Sequence, residues 1–488
     1  MSFKKVILST AMLSCVRVVR LLAQFVAIPI LSRLLSPEEY GLVAIAMPFA
    51  LFAMMLADAG IGMSLVRTPS SERVVWSTCF WLSTLLGAFL ALVMVACAPL
   101  VAYIFHQPPL MAMVMSLGFV VLAQAAHLIP VAALQQAQRF RAIAVIEVVA
   151  TAFGLSSAVY MAYHHYGAWA LIGQQIAYFA VRMVLMCTLS PFRPLFVFRW
   201  SLVREHVLFG RNVLGNGLVT YFSRSLDNWI VGKVLGAALL GFYSMAFQFA
   251  RLPQQIVAGP LQYVMYSHLA KIKDDKAAIA RGFLLTTRLL TVLVFPTMGM
   301  VAAAHAAIFN VVLSEKWEYA GTIFMLIAPA GAVQAILAMS ETAMYALGHT
   351  NIQLRTSAEY CILWIAALLA AVQFGLSAAA LTFTLVTLLY QLRYLALALP
   401  RLNLSMRDYF STYLIPLIAT GLGICAYQAV NAAEPMADWI HTVIAAVICL
   451  AVMLFSVLIQ RHHVVDELRS WQVVKAGPLP DSVEAGIN

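Results

Sequence analysis

Guanidinium groups sit where a lipid bilayer should exclude them. In the first apolar stretch Thr10, Ser14, Arg17, Arg20 and Gln24 recur every three or four residues, so one helix face carries them all. A second stripe holds Asn212, Asn216, Thr220, Arg224 and Asp227, and a third holds Ser244, Gln248, Arg251 and Gln255. A charge at mid-bilayer costs about 2.5–3.5 kcal/mol on insertion scales, so such residues turn to a cavity or a partner. Arginine keeps its proton and grips phosphate or carboxylate with a planar fork. The chemistry expected of Arg17, Arg20, Arg224 and Arg251 is therefore anion capture in a low-dielectric cleft. Two plainer roles compete with it: Arg17 snorkels to the interface, and Arg224 pairs with Asp227 at i,i+3 on one helix.

The acids inside apolar stretches are few. Asp58, Asp227 and Glu341 are candidates for a coupling proton or cation, or for a counter-charge. Asp58 precedes Gly60 and Gly62, where a helix is expected to loosen. Glu147 and Glu359 lie near the inner ends of their spans and are expected to pair with loop arginines. Gln24, Gln124, Gln174 and Gln248, with His127 and Tyr178, have the hydroxyl-matching chemistry of a glycan path. Hydrogen bonds between helices would account for them equally well.

Nothing in the chain points to bond chemistry. It has no G-x-x-x-x-G-K-[ST] phosphate loop, no H-E-x-x-H, no nucleophile elbow and no C-x-x-C. Cys15, Cys79, Cys97, Cys187, Cys361, Cys425 and Cys449 all fall in apolar stretches and read as small hydrophobic residues. No metal, cofactor or enzymatic activity is expected.

Helices that cross lipid must position these side chains. The 488 residues are 63% hydrophobic and 10% charged, against about a quarter charged in soluble domains. The apolar runs are continuous rather than alternating, which excludes a membrane barrel. Spans are expected over 9–31, 41–63, 76–103, 109–134, 145–163, 168–189, 210–230, 238–266, 283–310, 320–346, 356–373, 376–397, 411–430 and 438–460. At about 20 residues per span this is an all-α integral membrane protein of about fourteen helices. Arg17 and Arg20 interrupt the first apolar stretch and no A-x-A site follows, so no cleavable leader is expected.

Basic residues orient the spans. Alternate loops and both ends hold Lys4, Lys5, Arg67, Arg73, Arg139, Arg141, Arg193, Arg199, Arg204, Arg211, Lys271, Lys273, Lys276, Arg281, Arg355, Arg401, Arg407, Arg461, Arg469 and Lys475. The opposite loops hold Arg33, Lys233 and Lys316. By the positive-inside rule both termini are cytoplasmic. The net charge of +10 is explained by this bias and does not call for nucleic acid. The outer loops (32–40, 105–108, 164–167, 232–237, 313–319 and 431–437) are short. A membrane glycosyltransferase or polymerase needs outer carboxylates on a larger loop, so that reading is disfavoured.

The chain also echoes itself. Residues 30–47 read ILSRLLSPEEYGLVAIAM and residues 230–247 read IVGKVLGAALLGFYSMAF. At an ungapped offset of 200, Ile30, Leu35, Gly41 and Ala46 match Ile230, Leu235, Gly241 and Ala246, while Arg33 and Lys233 keep the charge. Each segment is the turn between the first two spans of its half. Six spans per half make a parallel repeat, with a substrate path between the halves. The expected division is a lobe over 1–190, an amphipathic interfacial linker over 191–211 and a second lobe over 212–400. Two further spans over 401–460 and a cytoplasmic tail over 461–488 follow.

SPEEYGLVAIA, its echo LGAALLGFYSMA, and FGRNVLGNGL at the head of the second half resemble the polysaccharide transporters of the MOP flippase superfamily. That resemblance covers about residues 5–460. It implies a V-shaped fold of two six-helix lobes like that of MATE transporters, with a central cationic cavity. It also implies flipping of undecaprenyl-pyrophosphate-linked oligosaccharides across the bacterial inner membrane for exopolysaccharide or O-antigen and lipopolysaccharide synthesis. The implied partners are the lipid-linked oligosaccharide, membrane lipid, and the polymerase and export machinery of such a pathway. Many members have twelve spans, which leaves the role of 401–460 open. A cation-coupled multidrug exporter of the same superfamily is the alternative. Its cleft would be acidic, whereas the core spans here offer Arg17, Arg20, Arg224 and Arg251 against Asp58, Asp227 and Glu341.

Overall fold

The computed structural model describes residues 20, 23–58, 60–67, 72–202, 204, 221–222, 225–269, 272, 275–433 and 436–475. Helices carry the described residues and no strand occurs among them. Lipid offers the backbone no hydrogen bonds, so each span must satisfy its own N–H and C=O groups, and a helix does so within one segment. The first unit contains α1 (Ala23–Leu34), α2 (Pro37–Asp58), α3 (Ile61–Arg67), α4 (Arg73–Phe105), α5 (Pro109–Gln136), α6 (Phe140–Tyr163), α7 (Trp169–Leu189) and α8 (225–235). α9 (Ala237–Ala250) straddles the boundary between the two compact units, Met1–Ser244 and Met245–Asn488. The second unit continues with α10 (Gly259–Leu269), α11 (Lys276–Ala303), α12 (His305–Val312), α13 (Glu318–Ala346), α14 (Thr350–Ala371), α15 (Leu376–Ala398), α16 (Met406–Ala433) and α17 (Asp438–Lys475).

Eleven helical stretches among the described residues are long and apolar enough to cross a bilayer. Their outward faces are apolar: Leu85, Phe89 and Leu92 of α4, and Val443, Val447, Leu450, Leu454 and Leu458 of α17, are all exposed. In water such stripes would drive aggregation; against lipid tails they are the matching surface. The protein is a multi-pass membrane protein.

Three expected spans differ from the other eleven. Those over 9–31 and 210–230 lie partly outside the described residues. The span over 238–266 is not one helix. It breaks at Arg251–Pro253, passes through a π-helical turn at Gln254–Ala258 and resumes as α10. Pro253 has no N–H to continue the ladder, so the helix must readjust there. The loosening expected after Asp58 occurs at Gly60, whose φ of +67° separates α2 from α3.

The echoed turns pack against each other. A Cβ on Gly41 would sit 1.7 Å from the Ala237 carbonyl oxygen, and one on Gly241 would sit 1.8 Å from that of Pro37. Only glycine allows backbones this close. The helices beside this crossing are fastened to α2 as well. Trp229 stacks on Phe49 with centroids 4.7 Å apart, and the Tyr221 hydroxyl donates to the Pro48 carbonyl at 2.6 Å. These contacts hold α8 and the start of α9 in the first unit.

Residues 190–199 are not helical and form a strap over the start of α4. The Leu195 amide donates to Ser77 Oγ at 2.9 Å, and Trp81 Nε1 donates to the Leu195 carbonyl at 2.8 Å. Arg193 donates to the carbonyls of Cys187, Thr188 and Ser190, capping the C-terminus of α7. Phe196, Phe198 and Trp200 stay exposed. In the second unit α16 and α17 each pack one face against α11 and leave the other exposed. Thr291 of α11 donates to the Thr412 carbonyl, and Met300, Ala304, Tyr427 and Ala445 form one buried cluster.

The glycine crossing can be tested by thermal unfolding in detergent. Gly41→Ala and Gly241→Ala are each expected to destabilise by about 1–3 kcal/mol, the usual cost of overpacking. Gly421→Ala on α16, whose added Cβ would meet nothing within 4 Å, should cost nothing.

Candidate functional site

The first unit concentrates polar chemistry between α5, α6 and α7. A helix can bring charge to the bilayer interior only if a neighbouring helix meets it, so the crossing of α6 with α7 decides the site. Gly154 of α6 lies against α7, where an added Cβ would be 3.1 Å from both the Gln174 carbonyl oxygen and Tyr178 Cβ. Glu147 lies two turns away on the same face of α6, while Tyr178 and Arg182 are one turn apart on α7. The close approach therefore delivers Glu147 to both.

Glu147 is the hub. Its Oε2 accepts from the Tyr178 hydroxyl at 2.7 Å. Its Oε1 lies 2.9 Å from Arg182 Nε, with both side chains largely buried at 15% and 19% exposure. The Nε hydrogen does not aim at that oxygen, so the contact is ionic rather than a hydrogen bond. Arg182 Nη1 donates to Gln124 Oε1 of α5 at 3.4 Å. The Tyr178 ring takes two cations: Arg20 Cζ is 5.3 Å and Arg182 Cζ 5.9 Å from its centroid. Two guanidinium groups thus share one ring while only Arg182 meets the carboxylate and Arg20 stays exposed, which leaves surplus positive charge among the described residues of this cluster. The surplus lies about 10 Å along α6 and α7 from their shared end, reckoned from seven residues at 1.5 Å each. His127, also on α5, is buried and keeps Nδ1 on its own helix, 2.6 Å from the Ala123 carbonyl oxygen. A carbonyl only accepts, so Nδ1 carries the proton.

The other expected residues scatter. Arg17 and Arg224 lie outside the described residues. Gln24 is exposed on α1, and Gln174 and Gln248 are half-buried on α7 and α9. Of the four glutamines, only Gln124 joins the cluster. Asp58 is half-buried at the end of α2. Asp227 of α8 is buried and accepts from the Tyr243 hydroxyl and the Asn228 amide, each at 2.9 Å. In the second unit Arg251 is exposed at the break after α9, with Cζ 5.6 Å from the Phe247 centroid. Glu341 of α13 interacts electrostatically with the phenols of Tyr345, Tyr390 and Tyr394. Glu359 pairs at 2.9 Å with Arg355, one turn away on α14 rather than in a loop, and at 3.5 Å with Arg393 of α15.

Glu147 does not pair with a loop arginine; its partner is Arg182, inside the span. Arg182 itself was not singled out by the sequence, although Tyr178 and Arg182 at i,i+4 beside a span with one acid was a usable signal.

The family model for polysaccharide biosynthesis proteins matches residues 30–321. The chain is 27% identical to the succinoglycan biosynthesis transport protein ExoT of Rhizobium meliloti (strain 1021) over 62% of each chain. It is 26% identical to the teichuronic acid biosynthesis protein TuaB of Bacillus subtilis (strain 168), over 83% of this chain and 84% of that one. It is 23% identical to the lipopolysaccharide biosynthesis protein WzxC of Escherichia coli (strain K12), over 80% of each. Among solved structures, the lipid II flippase MurJ in an inward closed conformation aligns with a TM-score of 0.74. That alignment covers 94% of this chain and all of MurJ at 13% identity. A multidrug resistance MATE family transporter of the MOP superfamily aligns with a TM-score of 0.59 at 12% identity, over 80% of this chain and 98% of that one. These two likenesses concern the fold.

The charge pair can be weighed by a double-mutant cycle read by unfolding in mixed micelles. Breaking a buried pair costs about 3–5 kcal/mol, so with this residual exposure Arg182→Ala should cost about 3 kcal/mol. Combining it with Glu147→Gln should recover about 1–2 kcal/mol of that loss.

Proposed function

The chain belongs to the polysaccharide biosynthesis protein family, and from that premise we propose that it flips undecaprenyl-pyrophosphate-linked oligosaccharide repeat units. The membrane is the bacterial inner membrane, both termini are cytoplasmic, and the product feeds exopolysaccharide, O-antigen or lipopolysaccharide assembly. The observation that carries this reading is the intramembrane cluster of Arg20, Arg182, Tyr178 and Glu147 with its surplus positive charge.

The physical demands of such a substrate fit the chain. Its diphosphate needs guanidinium groups held in a low-dielectric cleft, where each contact is stronger than in water. Its glycan needs amides and hydroxyls, and its tail stays in lipid between spans. Arg20 receives the diphosphate, joined by Arg17, Arg224 and Arg251. Gln24, Gln124, Gln174 and Gln248 line the glycan path. Asp58, Asp227 and Glu341 serve as coupling groups or counter-charges. Fourteen spans arranged as lobes over 1–190 and 212–400, with two added helices, rock to expose the cleft to each side in turn. No covalent step is involved. An exporter of cationic drugs would need surplus negative charge in the cleft, and the first unit's cluster has the opposite sign.

Export and leaflet position test this reading. Arg20→Ala and Arg224→Ala are expected to abolish polymer export while the protein still inserts; normal export by both at native expression would refute the assignment. Deleting the protein should trap lipid-linked repeat units in the cytoplasmic leaflet, as read by accessibility to a membrane-impermeant glycosidase. An unchanged leaflet distribution would remove the flippase reading altogether.

A further inference from the structure

We propose that Arg182 is a second diphosphate ligand held in reserve, and that Glu147 is the latch the incoming anion displaces. This rests on the flippase reading and goes beyond it by assigning two residues and an exchange of partners.

The geometry of the pair carries the inference. An arginine paired for stability presents its fork, with two parallel N–H bonds to one carboxylate. Arg182 does not. It offers Nε alone, 2.9 Å from Oε1, with the hydrogen turned off that line. Among the described residues its hydrogen bond to a protein side chain is the 3.4 Å contact to Gln124. The Glu147 carboxylate is oriented by Tyr178, which donates to its second oxygen at 2.7 Å, and in that orientation Arg182 meets the first oxygen through Nε. Tyr178 is therefore a positioning residue: its hydroxyl keeps the carboxylate half-engaged, and its ring keeps Arg20 and Arg182 within 6 Å of one centroid.

A single carboxylate cannot satisfy two guanidinium groups, whereas a diphosphate can. An arriving diphosphate accepts from Arg20, then from the outward donors of Arg182, and the loose ionic contact to Oε1 is exchanged for forked ones. Glu147 keeps the Tyr178 hydroxyl, so the carboxylate is not left bare. In the empty state the same latch leaves Arg20 as the cluster's one cation without a carboxylate among the described residues. The empty state holds one ion pair and the bound state two guanidinium–phosphate contacts, with Glu147 left on the Tyr178 hydroxyl and able to reclaim Arg182 when the ligand leaves.

The test is calorimetric titration of the full-length protein in nanodiscs with two probes, inorganic pyrophosphate and farnesyl diphosphate. Glu147→Gln removes the competing charge and is expected to bind both probes roughly threefold or more tighter than wild type. Arg182→Gln should bind about tenfold weaker, and the double variant should follow Arg182→Gln rather than Glu147→Gln. Tyr178→Phe, which keeps the ring and frees the carboxylate to fork onto Arg182, should also weaken binding. That result needs no loss of folding, because Glu147 and Arg182 remain intact. Unchanged or weaker binding by Glu147→Gln, or unchanged binding by Arg182→Gln, overturns the latch while leaving the flippase reading in place. Failure of wild type to bind either probe overturns the flippase reading itself. Tighter binding of farnesyl diphosphate than of pyrophosphate supports a lipid-borne ligand, and equal affinity overturns that source.

Discussion

A carboxylate inside a membrane has to be answered on both oxygens, and the arrangement of the first unit follows from how Glu147 meets that demand. One oxygen takes a phenol and the other takes a guanidinium, each from α7. Those partners exist only because α6 and α7 cross closely enough at Gly154 for a carbonyl and a tyrosine Cβ to fill the space of a side chain. The charge cost is thereby reduced locally but not cancelled, since Arg20 shares the same ring with no second acid among the described partners of the cluster. Positive potential in a low-dielectric setting is what would draw a polyanionic head group away from water.

Much of this was legible in the sequence, and the limits of that legibility have physical causes. The spans are written in composition, because lipid requires long apolar runs and allows charge only at selected points. Arg20 and Gln124 stood out for that reason. Arg182 did not, because its significance lies in its partner, and which acid a helix meets is decided by a crossing between two spans rather than by a pattern within one. Glu147 was expected to pair with a loop arginine from its depth near the inner end of its span, and depth says nothing about which way a side chain faces. The broken helix at Arg251–Pro253 was read through as a continuous span, since a window of hydropathy does not register one missing N–H. The two C-terminal spans were visible as helices, but their burial against α11 depends on tertiary contacts such as Thr291 with Thr412.

The repeat shows how a weak sequence signal becomes a physical statement. Four identities in eighteen positions are unremarkable alone. Gly41 approaches Ala237, and Gly241 approaches Pro37. Shifting the first pair by 200 residues in opposite senses gives the second pair, so the two helices exchange partners under the offset. An approximate two-fold axis running between α2 and the start of α9 is the geometry that produces such an exchange, and it places both glycines at the point of nearest approach. A duplicated turn that meets its own copy must fit itself, and at this distance only the residue without a side chain does so. The matching glycines are therefore accounted for by self-complementarity at the crossing, independently of any role in ligand binding, while the charged residues that bear on function lie outside the repeated turn.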